Sequence, residues 1–212
     1  MDTAFTPAQE ALRRELATYM VALMTPELRA ELSLSSEGGG PLWRAALRRM
    51  GGDGWIGLGW PVEWGGRGLG PIEQYIFIEE VTRSGFPFPY LTPESVGPAI
   101  AEFAGDELKR KVLPGILGGE IVMAIGYTEP QSGTDLASLK TRAVREGDHY
   151  LVSGQKVFTS LAHVADYVFL AVRTGDPETH PRHKGISMLL VPTDSPGFSR
   201  TPIHTVADGE TN

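Results

Sequence analysis

The hydrophobic periodicity of this chain changes once, near Gly118-Gly119-Glu120, and that change limits the folds open to it. Before it, apolar residues recur at helical spacing. After it they alternate with period two, as half-buried strands do. The expected fold is therefore α+β, with an all-α domain over 1–120 followed by a β domain over 121–212. No internal repeat is evident.

In the helical part, Thr6-Pro7-Ala8-Gln9 carries the marks of a helix start: Thr6 as N-cap, Pro7 at the first helical position and Gln9 placed to close a capping box. Leu12, Leu16, Tyr19, Met20 and Leu23 then share one face. Thr25-Pro26 ends or bends that helix. Ser33–Pro41 reads as a loop, and a helix from Pro41 to about Met50 stops at Gly51-Gly52-Asp53-Gly54. Gly57–Gly70 reads as a packed surface loop whose Trp60 and Trp64 plug the core. Pro71–Ser84 is expected to be a helix ended by Gly85, with Ile72, Tyr75, Ile76 and Val81 inward. The Phe86–Tyr90 run must be extended. A helix from Pro93 to Ala104 follows, with Gly105 as its C-cap residue, and then a short helix over Asp106–Val112 broken at Pro114.

In the β part, strands are expected at Ile121–Gly126, Thr141–Glu146, His149–Ser160 and Ala165–Thr174, with Gly147-Asp148 turning a hairpin. Gly185–Thr193 is almost continuously apolar and predicts a strand covered on both faces. Phe198–Val206 predicts one more. Two polar stretches sit at strand ends, Tyr127–Asp135 and Gln155–Ser160. Pro130 has no N–H for a ladder and stops the first strand. Gly133 lets the chain turn or approach a ligand closely. Thr134 and Asp135 are N-cap residues for a short helix over Leu136–Leu139, and a helix N-terminus attracts phosphate. A plain turn accounts for the same residues.

The formal net charge of −7 over 212 residues argues against a broad nucleic-acid or anionic-membrane surface, so a phosphate-bearing ligand has to be met by a local patch. The one dense basic cluster is His180-Pro181-Arg182-His183-Lys184. No second ligand pair lies near His180 and His183 in the sequence, so a metal site is not expected. The absence of cysteine excludes disulfides, thiolate catalysis and zinc–thiolate sites. No apolar run approaches the roughly 20 residues that span a bilayer. The acidic Met1-Asp2-Thr3 start runs straight into a helix, so no signal peptide is expected and a cytoplasmic location is the default.

Four segments together carry a family resemblance. Tyr127–Asp135 resembles the flavin-binding signature of the acyl-CoA dehydrogenase family, roughly T-E-P-x-x-G-S-D. Gly154–Ser160 is similar to the family's G-Q-K-x-W-I-T, with Phe158 where Trp is usual and Ser160 where Thr is usual. Gly54–Gly70 and Gly105–Glu120 resemble two passages of the family's helical domain, in the family's order. The resemblance implies an N-terminal helical domain followed by an antiparallel β-barrel-like domain. It also implies FAD as cofactor and α,β-dehydrogenation of an acyl-CoA thioester in fatty acid or steroid lipid metabolism. Electron-transfer flavoprotein would be a partner, in a homo- or hetero-oligomer that is a dimer or tetramer. Carried over by motif, Ile125, Tyr127, Thr128, Gly133, Thr134, Phe158, Thr159 and Ser160 would bind the cofactor. Thr134, Arg182, His183 and Lys184 would bind the substrate, the last three toward its phosphates; a solvated loop is the alternative for them. Without the resemblance, Phe158 reads as core and Ser160 as a strand-end hydroxyl.

No residue here inherits the catalytic glutamate, which the family carries in a C-terminal helical bundle that follows one further strand. Glu79 and Glu80 read as a helix face and Glu129 as structural. The resemblance covers essentially all of this chain but about half of a family member, so the chain is either a fragment or a short subunit completed by a partner. F-T-S-L-A-H…A-D-Y and H-K-G-I-S look most like actinobacterial members acting on bulky or steroid-type acyl-CoAs, some of which work as heteromeric pairs in which one subunit lacks a functional flavin site. A non-catalytic subunit, an acyl-CoA oxidase and a flavin monooxygenase are the other readings of the same scaffold.

Overall fold

The computed structural model describes residues 4–35, 37–176, 179–180, 182–206 and 210–212. The chain divides into two compact units, Met1–Ile121 and Val122–Asn212.

The first unit is helical. α1 (Pro7–Leu23) opens on the expected capping box: Thr6 Oγ1 accepts from the Gln9 amide and Gln9 Oε1 accepts from the Thr6 amide. It buries Leu16, Met20 and Leu23. Thr25 ends it and caps the next helix, α2 (Pro26–Leu32). α3 (Pro41–Gly52) has glycine at its N-cap, which offers no side chain. The Glu31 carboxylate takes over, accepting from the amides of Leu42 at 3.0 Å and Trp43 at 2.7 Å.

α4 (Pro71–Ser84) ends at Gly85 as expected, but its inward face is Ile76, Phe77, Glu80 and Val81. Ile72 and Tyr75 are instead 48% and 53% exposed. At 100° per residue Tyr75 points almost opposite the mean direction of the buried four, so a single inward stripe cannot hold all of them. Glu80 is buried because Arg13 of α1 reaches it, at 3.0 Å. Trp60 does plug the core, 6% exposed with its indole N–H on the Pro93 carbonyl at 2.8 Å; Trp64 is only half-buried.

The helix expected over 93–104 begins as a π-helical turn, Thr92–Val96, before α5 (Gly97–Phe103). Pro98 has no N–H to give Glu94 in an α-helical register, and the wider turn absorbs that loss. Gly105 is not a C-cap residue of α5; it has extended backbone and is the N-cap of α6 (Asp106–Leu117). α6 runs on through Pro114 because Val112, Leu113, Ile116 and Leu117 are all buried, and their burial outweighs one missing hydrogen bond.

The second unit is built on β1 (Met123–Gly126), β2 (Arg142–Glu146), β3 (His149–Ser153), β4 (Tyr167–Arg173) and β5 (Ile186–Pro192), in the order β1-β4-β2-β3 with β5 also on β4. The β2–β3 hairpin turns at Gly147-Asp148 as expected. The helices-then-sheet order is as the sequence predicts, but the sheet is mixed rather than antiparallel: β1 and β2 both run parallel to β4. The chain between Gly126 and Tyr167 is long enough to cross over, which is what a parallel pair needs. β4 is the buried centre, with Val168, Ala171 and Val172 at 3% exposure or less. β5 is half-exposed rather than covered on both faces, with Met188 at 39%. The last expected strand shrinks to β6 (Ile203–His204), paired with β7 (Glu210–Thr211). Among the described residues no α-helix follows α6, and none is long and apolar enough to cross a membrane.

Candidate functional site

The two polar stretches meet where β1 ends. β3 stops at Ser153, and the residues expected to continue it form a separate segment instead. There the Val157 amide donates to the Thr128 carbonyl at 2.9 Å, and Lys156 Nζ reaches both the Tyr127 carbonyl at 3.0 Å and Glu129 Oε1 at 2.9 Å. Beyond Thr128 the chain turns tightly about Pro130-Gln131: Glu129 and Ser132 exchange both backbone hydrogen bonds. The buried Ser132 hydroxyl donates to the Asp135 carbonyl at 2.8 Å, and the Ser138 hydroxyl donates to Ser132 Oγ at 2.9 Å.

Glu129 organises this turn. Its carboxylate, in a residue 2% exposed, accepts from the amides of Lys140 and Thr141, from Gln131 Nε2 and from Lys156. Burial pushes its pKa up, but the hydrogen bonds from Thr141, Lys140 and Lys156 outweigh burial and bring it down to about 2. A carboxylate with four donors and so low a pKa is a structural anion, not a proton acceptor.

Around this anchor, the residues expected to bind a cofactor take distinct positions. Ile125 is half-buried in β1, paired with Phe169. Tyr127 is half-buried, its ring 6.5 Å from that of Phe169, and burial raises its hydroxyl pKa. Thr128 is half-buried beside it. Gly133 and Thr134 are exposed on the turn; Gly133 does not have positive φ, and a Cβ there would meet nothing within 4 Å. The turn therefore does not require glycine, and what remains is open space for a ligand. The expected helix after Asp135 is a single 3-10 turn, Leu136–Ser138, without a side-chain cap. A turn so short has little macrodipole to attract phosphate.

Phe158 is not core: it is 65% exposed and has φ of 59°. An exposed ring held in left-handed backbone is a strained arrangement that packing within this unit does not explain. Thr159 is buried, its amide donating to the Asn212 carbonyl, whereas Ser160 is exposed. An open-sided turn, half-buried hydroxyls and an exposed aromatic ring fit a flat polar cofactor such as a flavin.

The basic cluster forms a 3-10 turn, Arg182–Gly185; Pro181 lies outside the described residues. Arg182, His183 and Lys184 are exposed, and Arg182 stands 3.4 Å from Asp135. A cleft of about 480 Å³ opens beside it, lined by Asp135, Ser138, Lys140, Arg142, Arg173 and Arg182 among others. His183 and Lys184 do not line it. Sequence reading missed Lys140, Arg142 and Arg173; the visible signal was two cations around the start of one strand and one at the end of another.

The model of the acyl-CoA dehydrogenase N-terminal domain matches residues 6–120 and that of the acyl-CoA dehydrogenase middle domain matches 124–210. Acyl-CoA dehydrogenase FadE26 of Mycobacterium tuberculosis is 50% identical, across 100% of this chain and 54% of that protein. The crystal structure of the ChsE4-ChsE5 complex from Mycobacterium tuberculosis matches with a TM-score of 0.90 and 51% identity, over 100% of this chain and 53% of that one. The Tcur3481-Tcur3483 steroid ACAD matches with a TM-score of 0.91 and 50% identity, over 100% of this chain and 54% of that one. The chain thus spans about half the length of the curated relatives it matches over most of its own length.

Proposed function

Since the chain belongs to the acyl-CoA dehydrogenase family, we propose that its β unit supplies the flavin-facing wall of an FAD-dependent dehydrogenase acting on bulky, steroid-type acyl-CoA thioesters. One observation carries this reading: the two stretches that resemble the flavin signature are joined into one wall by Val157, Lys156 and Glu129. FAD bound there would accept the substrate's β-hydrogen as hydride.

The chain's own part is to hold and tune. Tyr127 and Thr128 offer donors where negative charge develops on the reduced ring. Thr134, with the open space at Gly133, suits a pyrophosphate, and Phe158 offers a flat apolar face. Ser160 offers a hydroxyl to the reacting edge, and Ile125 and Thr159 set the spacing of the wall from inside it. Thr134, Arg182, His183 and Lys184 would meet the acyl-CoA. The steroid-type substrate is inferred from the likeness to the Tcur3481-Tcur3483 steroid ACAD. Electron-transfer flavoprotein is the expected electron acceptor.

Of the two carboxylates in the resembling stretches, Glu129 is fully engaged and Asp135 faces Arg182 at 3.4 Å, so neither is assigned the α-proton. That favours a site completed by further polypeptide. The likeness to the ChsE4-ChsE5 complex supports a hetero-oligomer as its source, and a second reading in which this chain is the non-catalytic member of such a pair.

The test is a visible spectrum of the purified chain together with its intact mass. Flavin near one per chain is expected. A chain that stays colourless when FAD is added would remove the cofactor role and leave the non-catalytic reading. Turnover of an acyl-CoA with an artificial acceptor but without O₂ consumption separates a dehydrogenase from an oxidase or monooxygenase.

A further inference from the structure

The cleft beside Arg182 has an unusual back wall. Arg173, the last residue of β4, donates from Nε to the Leu139 carbonyl at 3.3 Å, from Nη2 to the Ala137 carbonyl at 2.9 Å and from Nη1 to the Arg182 carbonyl at 2.9 Å. Three of a guanidinium's five N–H groups are thereby spent on three carbonyls from two turns far apart in sequence. Among the described residues no carboxylate pairs with it. Its own amide donates to the Thr141 carbonyl, and the amide of Thr141 donates to Glu129.

The packing leaves the guanidinium little room to move. Gly185 is buried, and a Cβ there would sit 3.0 Å from Arg173 Nη1 and 2.8 Å from the His180 carbonyl oxygen. The geometry is that of a clamp. Planar fork donors on three separate nitrogens reach two separate segments of backbone at once along fixed directions, which the single nitrogen of a lysine does not reproduce.

We propose that Arg173 is a positioning residue: it holds the Leu136–Ser138 turn and the Arg182–Gly185 turn at a fixed separation, so that the cleft between them, with Lys140, Arg142 and Arg182 on its sides, keeps the width an anionic ligand needs. Its charge goes to carbonyls and its contribution to binding is the shape of the site. The identity of the ligand rests on the reading above, which makes it the phosphate-bearing part of an acyl-CoA. The clamp itself does not depend on that reading.

The test uses the full chain with Arg173→Lys, read in two ways. Amide hydrogen exchange is expected to rise together over residues 136–139 and 183–185 while the β4–β5 ladder stays as protected as in the unsubstituted chain. Unchanged exchange in the two turns, or equal loosening of the ladder, would overturn the proposal in favour of no role or a general structural one. Calorimetric titration with coenzyme A is expected to show affinity about tenfold weaker, the cost of losing well-aligned charged hydrogen bonds. Affinity unchanged from that of the unsubstituted chain would also overturn it. If the unsubstituted chain does not bind coenzyme A, the acyl-CoA reading of this cleft fails and hydrogen exchange alone decides the clamp. Should Arg173→Lys not fold, Arg173→Gln removes the fork without adding bulk and carries the same two readouts.

Discussion

Glu129 and Lys156 form a buried ion pair at 2.9 Å, with side chains 1% and 9% exposed, and that pair ties the end of β1 to the segment that follows β3. Lys156 also holds the Tyr127 carbonyl, and Glu129 holds the amides of Lys140 and Thr141. Three pieces of backbone therefore depend on two side chains.

Removing one partner strands the other. Glu129→Gln leaves Lys156 buried without a counter-charge and weakens the capture of two amides. The expected loss is about 3–5 kcal/mol of stability, the usual cost of breaking a buried pair from one side. Urea unfolding checks it, and a loss below about 1 kcal/mol would mean that the turn is held mainly by its backbone hydrogen bonds.

The same pair predicts an acid limb. The Glu129 pKa is depressed from 4.5 to about 2 in the folded chain, so its stabilisation is present above pH 4.5 and is lost as pH falls toward 2. Thermal melts across that interval should fall steeply in the unsubstituted chain. In Glu129→Gln the fall should be shallower, because the group that titrates is gone.

Phe158 separates stability from ligand binding. Its ring is 65% exposed and its φ is 59°, so Phe158→Gly removes little packing and relieves roughly 1 kcal/mol of left-handed backbone strain. The melting temperature should stay level or rise slightly while flavin retention falls by tenfold or more. Phe158→Trp should keep the flavin. Equal flavin content in Phe158→Gly would remove this ring from the cofactor site.

Gly97 tests the helical unit alone. A Cβ there would come within 2.3 Å of Trp60 Cζ2 and 2.5 Å of Cη2, and Trp60 is anchored by its indole N–H to Pro93. Gly97→Ala should cost about 1–3 kcal/mol through overpacking. Tryptophan fluorescence and chemical denaturation report it. A neutral result would mean that the π-helical turn gives way more easily than its packing suggests.

Local chemistry decided most of what could be read in advance. The capping box at Thr6 and Gln9, the stop at Gly85 and the hairpin at Gly147-Asp148 depend on residues within one turn of each other, so the sequence determines them directly. The order of helices before strands is also legible, because the periodicity that makes a face apolar is local. The motif stretches could be located for the same reason, and Glu129 could be read as structural from its place in the motif.

Partners distant in sequence decided the rest. Pro114 stays inside a helix because four buried neighbours outweigh it, and Glu80 is buried because Arg13 reaches it from another helix. β1 runs parallel to β4 only because a long crossover brings them together, which no single stretch announces. Arg173 is the clearest case. In the sequence it is one cation after an apolar run, and only the folded backbone brings the carbonyls of Ala137, Leu139 and Arg182 to its three donors. Hydrogen bonds between remote segments form when the apolar core has already set their distance, so they belong to the tertiary structure and not to the order of residues.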